Sequence, residues 1–279
     1  MKQVLVTTDF SENSKAGIRF AIQWASQQRL SLIFVHVLHV LRPTKWPDEY
    51  FESYAAEEVA EFEAKLPIFV HDIYQLHGIE PGQHSFLILQ GYSADVTVRD
   101  YCNDNAGIDY ICMATSGAGK LEKFFGTNAG NLITTSNVPV IAVPASYKMA
   151  PIKKLVYATD MKRYKQEIKQ VAMFAEPLKC GVDAVHFTWP NESSLDKVAI
   201  DKEIKKQLGV GSAFHFEQND GVHTLVQNLQ QQVKKLQPSV MVMFTNQKRN
   251  LFQKIFLSSK AEEYAFKTTV PLLVFSQGN

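Results

Sequence analysis

Cysteine is scarce: Cys102, Cys112 and Cys180 are the only three in 279 residues. An odd number with no CxxC pair supports neither a disulfide framework nor a thiolate zinc site, and fits a reducing cytoplasm. Long hydrophobic runs are missing too. None approaches the ~18 residues a bilayer span requires, and Met1 leads into the strand-like Val4-Leu5-Val6 with no basic leader or cleavage site. A cytoplasmic protein without a membrane partner is the expectation. Nor is there an excess of one charge, since 29 basic against 28 acidic residues leave a net +1. With 46% hydrophobic and 20% charged residues, disorder, collagen and a histone-like basic chain are excluded.

The near-neutral total hides an asymmetry. Residues 1–150 carry 11 basic and 16 acidic side chains and the remainder 18 and 12, so the halves stand at −5 and +6. Imbalances this small favour contact between the halves over nucleic-acid binding.

What the chain does have is a repeat. Gln3–Phe10, QVLVTTDF, returns as Lys154–Met161, KLVYATDM; Val35-His36-Val37 returns as Val185-His186-Phe187; and Val138–Val143, VPVIAV, returns as Val270–Phe275, VPLLVF. The offsets, 151, 150 and 132 residues, preserve the order. Three collinear matches point to duplication, with domains at 1–147 and 151–279 and an insertion-like acidic stretch over Pro43–His77 in the first.

Within the first copy, Val4–Thr8, Leu32–Leu38, Phe86–Gln90, Tyr110–Ala114 and Val138–Val143 read as strands apolar on both faces. Ser11–Gln28, Tyr54–Gln75, Ala94–Asn103 and Thr127–Thr135 read as helices, the first with Ser11 or Ser14 as N-cap. Strand and helix alternating to five strands predicts an α/β fold: two tandem, doubly wound, five-stranded parallel sheets of Rossmann-like type. Such sheets bind ligands at the carboxyl ends of their strands, where the strand order reverses.

Two segments occupy those ends. Thr7-Thr8-Asp9-Phe10-Ser11 sets a carboxylate at a helix start, which caps and complements the macrodipole or accepts from a ligand. Met113-Ala114-Thr115-Ser116-Gly117-Ala118-Gly119-Lys120 is followed by Gly126-Thr127-Asn128, where small residues admit a close backbone and free helical amides attract phosphate. Gly119-Lys120 is not a Walker A lysine. Ala114 stands where that motif's first glycine belongs, and Leu121 follows the lysine in place of Ser or Thr.

With these residues the sequence resembles the universal stress protein family in tandem form. The family's nucleotide signature is Gly, two residues, Gly, nine residues, Gly, then Ser or Thr. Here Ala114 replaces the first glycine, and only eight residues separate Gly117 from Gly126. The resemblance implies a sheet of the adenine-nucleotide-hydrolase-like class and an adenine nucleotide ligand, ATP or AMP, with Mg²⁺ if ATP. Carried over by position, it sets Thr7, Asp9 and Val37 at adenine and ribose, and Met113, Ala114, Ser116 and Gly117 along ribose and phosphates. Gly126, Thr127 and Asn128 then meet the phosphate tail. It further implies pairing of the two domains through their fifth strands, giving one chain the character of a dimer, with homodimerisation open.

The second copy lacks the signature. Phe244 and Gln247 stand at the places of Ala114 and Gly117, Ser258-Ser259-Lys260 fall, counting back from Pro271 as from Pro139, at Gly126-Thr127-Asn128, and Phe187 replaces Val37. Asp160 alone stands for Asp9. No catalytic constellation is visible: His36 and His39 point to opposite faces of a strand, Cys112 lies in an apolar strand, and no GxSxG elbow occurs. The reading is a nucleotide-binding stress-response protein whose second domain is a partner without a working site. Its alternatives are a protein-interaction module with no nucleotide, or a slow ATPase.

Overall fold

The computed structural model describes residues 1–115, 127–188, 196–209, 211–218, 225–245 and 270–276. The chain divides into two compact units, Met1–Met149 and Ala150–Asn279.

In the first unit the apolar runs form parallel strands because both their faces are covered. These are β1 (Lys2–Thr7), β2 (Leu30–Leu38), β3 (His84–Gln90), β4 (Ile108–Ala114) and β5 (Val140–Val143). They stand in the order β3-β2-β1-β4-β5, every pairing parallel. Val4, Leu5, Val6, Phe34, Ile111 and Cys112 at its centre have no exposed surface, and burying each stabilises by about 1.5–3 kcal/mol. β3 departs from the all-apolar expectation: its residues are half-buried or exposed, because one flank of an edge strand faces water.

Helices α1 (Lys15–Gln27), α2 (Asp48–His77), α3 (Ala94–Asp104) and α4 (Thr127–Thr135) connect the strands. α1 buries Ala16, Phe20, Ala21 and Trp24 at helical spacing, and Trp24 packs edge-on to Tyr110 with ring centroids 5.1 Å apart. It starts at Lys15, four residues later than its sequence suggests, because residues 11–14 are held in a turn by their own side chains. α2 is the insertion. It runs 30 residues and closes on Gly78 in the left-handed conformation, φ 61°, which a residue without Cβ adopts at no cost.

The second unit repeats the plan with β6 (Lys154–Ala158), α5 (Tyr164–Ala175), β7 (Gly181–Thr188), α6 (Lys197–Leu208), β8 (Ala213–Gln218), α7 (Leu225–Leu236), β9 (Val240–Thr245) and β10 (Leu272–Ser276). Its strands follow the order β10-β9-β6-β7-β8, all parallel. Strand for strand this is the order of the first unit. α6, at 12 residues against the 30 of α2, accounts for most of the shorter offset at the closing strands. The doubly wound expectation is met in both units. Among the described residues no helix is long and apolar enough to cross a membrane.

Candidate functional site

In the first unit the strand order reverses between β1 and β4, and the carboxyl ends of these strands are where sheets of this kind bind ligands. The loop leaving β1 is tied by short side chains. Thr8 Oγ1 and Ser14 Oγ lie 2.8 Å apart; Ser14 Oγ donates to the Ser11 carbonyl at 2.7 Å, which leaves the Thr8 hydroxyl as donor to Ser14. Thr8 Oγ1 also accepts from the Phe10 amide at 3.1 Å. Asp9 Oδ1 accepts from the Ser11 amide at 3.0 Å and the Ser11 hydroxyl at 2.5 Å, an Asx turn just after β1. One carboxylate oxygen thus shapes the turn, and the residue is exposed.

Phe10 adopts φ 61°, a left-handed conformation that costs about 1–2 kcal/mol for a residue with Cβ. Its ring offsets this by contacts with His36, Phe62 and Phe69, at centroid distances of 4.8, 5.5 and 5.2 Å, each worth about 0.5–1.5 kcal/mol. His36 Nδ1 lies 2.9 Å from the Thr8 carbonyl, and burial pushes its pKa below the ordinary histidine value against the pull of that carbonyl and of Asp9.

The second unit reproduces the turn of this loop, its two amide-to-side-chain bonds and its histidine contact, though not the serine hydroxyl bonds. Met161 takes φ 66° where Phe10 takes 61°. The Met161 amide donates to Thr159 Oγ1 and the Lys162 amide to Asp160 Oδ1, each at 3.0 Å. His186 Nδ1 lies 2.9 Å from the Thr159 carbonyl, as His36 does from that of Thr8. The repeat seen in the sequence is thus a repeat of turn chemistry.

At the end of β4, Met113 and Ala114 are buried and pair with Ala142 and Val143, and the Thr115 amide donates to the Val143 carbonyl at 2.8 Å. α1 reaches this point through Gly17. A Cβ there would stand 3.1 Å from the Ala114 nitrogen and 3.2 Å from the Met113 carbonyl carbon, so any larger residue would push helix and strand end apart by a few tenths of an ångström. Cys112 donates to the Gly17 carbonyl at 3.4 Å, and full burial pushes its thiol far above the ordinary range.

α4 begins at Thr127, as its sequence predicts, with Asn128 exposed in its first turn. Its position is fixed by a contact that the sequence did not reveal: Asn131 donates to Asp95 Oδ2 at 2.7 Å. Asp95 is itself buried near the start of α3 and accepts from the Ser93 hydroxyl. Burial raises its pKa, yet the Ser93, Asn131 and backbone donors outweigh burial and hold the carboxyl below its usual value.

Sheet order brings Thr7, Asp9, Val37, Met113 and Ala114 to one edge of the first unit, Val37 half-buried near the end of β2. Ser116, Gly117 and Gly126, with the side chain of Thr127, lie outside the described residues. Among the described residues no three His, Cys, Asp or Glu side chains converge as a metal site.

The model of the universal stress protein family matches residues 1–144, just over half the chain. The chain belongs to the universal stress protein family. Comparison with curated proteins finds no match. A universal stress protein from Archaeoglobus fulgidus DSM 4304 is similar over 99% of this chain and 98% of its own, at 15% identity and TM-score 0.73. A putative universal stress protein from Pseudomonas aeruginosa UCBPP-PA14 covers 99% and 93%, at 14% identity and TM-score 0.57. At these identities the likeness establishes the α/β fold.

Against the universal stress protein signature, the second unit is filled where the first has small residues. Phe244, at the place of Ala114, stacks on Phe275 with centroids 5.0 Å apart and stands edge-on to Tyr157 at 5.8 Å. Tyr157 donates to the buried carboxylate of Glu167, which also accepts from Thr159 Oγ1 at 3.3 Å. Asp160 keeps its turn, but the end of β9 presents an aromatic wall. The Ser258-Ser259-Lys260 correspondence falls outside the described residues.

Proposed function

We propose that this universal stress protein binds an adenine nucleotide, ATP with Mg²⁺ or AMP, in its first unit and acts as a nucleotide-responsive stress protein. One observation carries the reading. The order β2-β1-β4 supports it, with the acceptor Asp9, the half-buried Val37 and the small Ala114 near the carboxyl ends of three neighbouring strands, and the sequence leads from there through Gly117 and Gly126 to the start of a nine-residue helix. Acceptors for an adenine amino group or ribose hydroxyl at one side, and helical amides for phosphate at the other, are the donor set a nucleotide needs.

The departures from the signature weaken the site. Losing one charge-assisted contact costs about 1.5–3 kcal/mol, or about one to two powers of ten in affinity. Cellular nucleotide still fills a site so weakened. Phosphate cradling without a positioned water does not hydrolyse, so the protein is proposed as a binder and not an enzyme.

The second unit serves as a partner. β5 ends the strand order of the first unit and β10 that of the second. Val140–Val143 and Leu272–Phe275 carry no charge, and bare apolar edges aggregate unless covered. Pairing of these two edges within the chain answers that, and cytoplasmic location suits it.

The test is calorimetry of the full chain with ATP and Mg²⁺ or with AMP, alongside analysis of nucleotide carried through purification. Binding abolished by Gly126→Val and equal or tighter in Ala114→Gly supports the reading. No heat at millimolar nucleotide favours an interaction module, and turnover abolished by Gly126→Val favours a slow ATPase.

A further inference from the structure

Away from the proposed nucleotide site, the turn from α2 into the edge strand β3 sets two imidazoles against each other. His71 Nε2 lies 3.4 Å from His84 Nε2. His84 Nδ1 lies 2.8 Å from the Gly82 carbonyl, which only a protonated nitrogen approaches so closely, and in the neutral ring Nε2 then presents its lone pair toward His71. A carbonyl behind a ligating imidazole is the usual partner that fixes its tautomer and orientation. The His84 ring is further held by Phe86, at a centroid distance of 5.2 Å, and by Phe34 at 6.2 Å. His71 stands edge-on to the same Phe86 at 5.8 Å.

The 3.4 Å contact is within hydrogen-bond reach and is also a separation that a shared ion can set. Two nitrogens each about 2.0–2.1 Å from a tetrahedral zinc lie about 3.4 Å apart, whereas right-angled ligands of a square-planar or octahedral ion lie about 2.9 Å apart. The ring centroids stand 5.6 Å apart, and with both lone pairs aimed at one tetrahedral ion they would close to about 5.2 Å. That is a small swing for His71, which is exposed on α2.

We propose that His71 and His84 form a two-histidine zinc site clamping α2 to β3, with water completing the tetrahedron. Among the described residues no third His, Cys, Asp or Glu joins the pair. Because zinc would bind the folded arrangement and not the unfolded chain, it also stabilises the first unit by mass action.

The experiment titrates the full chain, stripped with chelator, with Zn²⁺ alone, reading heat and thermal unfolding together. One equivalent is expected to bind and raise the midpoint, with affinity falling about tenfold or more in His71→Ala and in His84→Ala and unchanged in His39→Ala. His71→Ala removes an exposed helical side chain, so its folding is not in question and its result decides the matter. Equal zinc affinity in His71→Ala and the parent chain, or no uptake by the parent chain at micromolar zinc, overturns the proposal.

Discussion

Phe244 lies stacked on Phe275, centroids 5.0 Å apart and planes inclined by 17°, at the carboxyl ends of β9 and β10. The pair occupies the end of the sheet that carries Ala114 and Val143 in the first unit. Two stacked rings stand where the first unit has Ala114 and Val143, so the second copy packs aromatic side chains where the signature is lost.

Phe244→Ala is accordingly expected to destabilise the protein by about 3–5 kcal/mol without conferring nucleotide binding on the second unit. The opening alone supplies no phosphate donors. Denaturant titration and calorimetry with ATP check the two halves of the expectation, and a second equivalent of nucleotide bound by the variant would refute it.

Gly17 makes the opposite point in the first unit. Alanine there gains about 1 kcal/mol of helix propensity, but its Cβ meets the backbone of Met113 and Ala114 at 3.1–3.3 Å, and overpacking against backbone costs about 1–3 kcal/mol. Gly17→Ala should therefore lose about 1 kcal/mol net, and Gly17→Val, bulkier and with less of the propensity gain, about 3 kcal/mol. Urea midpoints measure both. Nucleotide affinity should fall alongside, because the end of β4 must shift.

The strands were legible because a parallel strand covered on both faces leaves an uninterrupted apolar run, and the duplication was legible because its turns are built from the same Thr-Asp pair. For α1, Ser11 and Ser14 signal a helix start equally well; Ser14 is the N-cap residue, and only the bonds that join it to Thr8 and to the Ser11 carbonyl decide between them. Gly17 was invisible, since a glycine within a helix reads as a weakness until the strand it touches, nearly a hundred residues on, is in place. Asp95 and Asn131 escaped for the same reason. The positions of Thr7, Asp9, Val37, Met113 and Ala114 at one sheet edge follow from topology, which the sequence does carry.

His36 gives the first unit a pH dependence of stability. Burial depresses its pKa in the folded chain, so below the unfolded value of about 6.5 the unfolded state takes up a proton that the folded state does not. Stability is full above that pH and declines as pH falls toward the folded value. His36→Gln, which keeps a donor for the Thr8 carbonyl, should flatten this part of the profile, and parallel unfolding curves between about pH 5 and pH 7.5 test it. A parent chain whose stability rises on acidification through that range would contradict the assignment.

Glu167 acts in the opposite direction in the second unit. Its carboxyl is buried, and burial raises its pKa above the ordinary 4.5 despite the hydroxyls of Tyr157 and Thr159 that favour its charged form. Between the unfolded and folded values the native state therefore holds a proton that the unfolded state has released. Stability declines as pH rises through that window, and the loss is complete above the folded pKa. Glu167→Gln keeps an acceptor for the fully buried Tyr157 hydroxyl and never ionises. It should match the parent at about pH 4 and exceed it at about pH 7.5. Glu167→Ala, by contrast, strands that hydroxyl without Glu167 as acceptor and should cost about 1–3 kcal/mol at either pH. Denaturant titrations of the three chains at the two pH values separate charge from hydrogen bonding, and a glutamine variant weaker than the parent by the same margin at both would show that the charged form of Glu167 is not what limits the second unit.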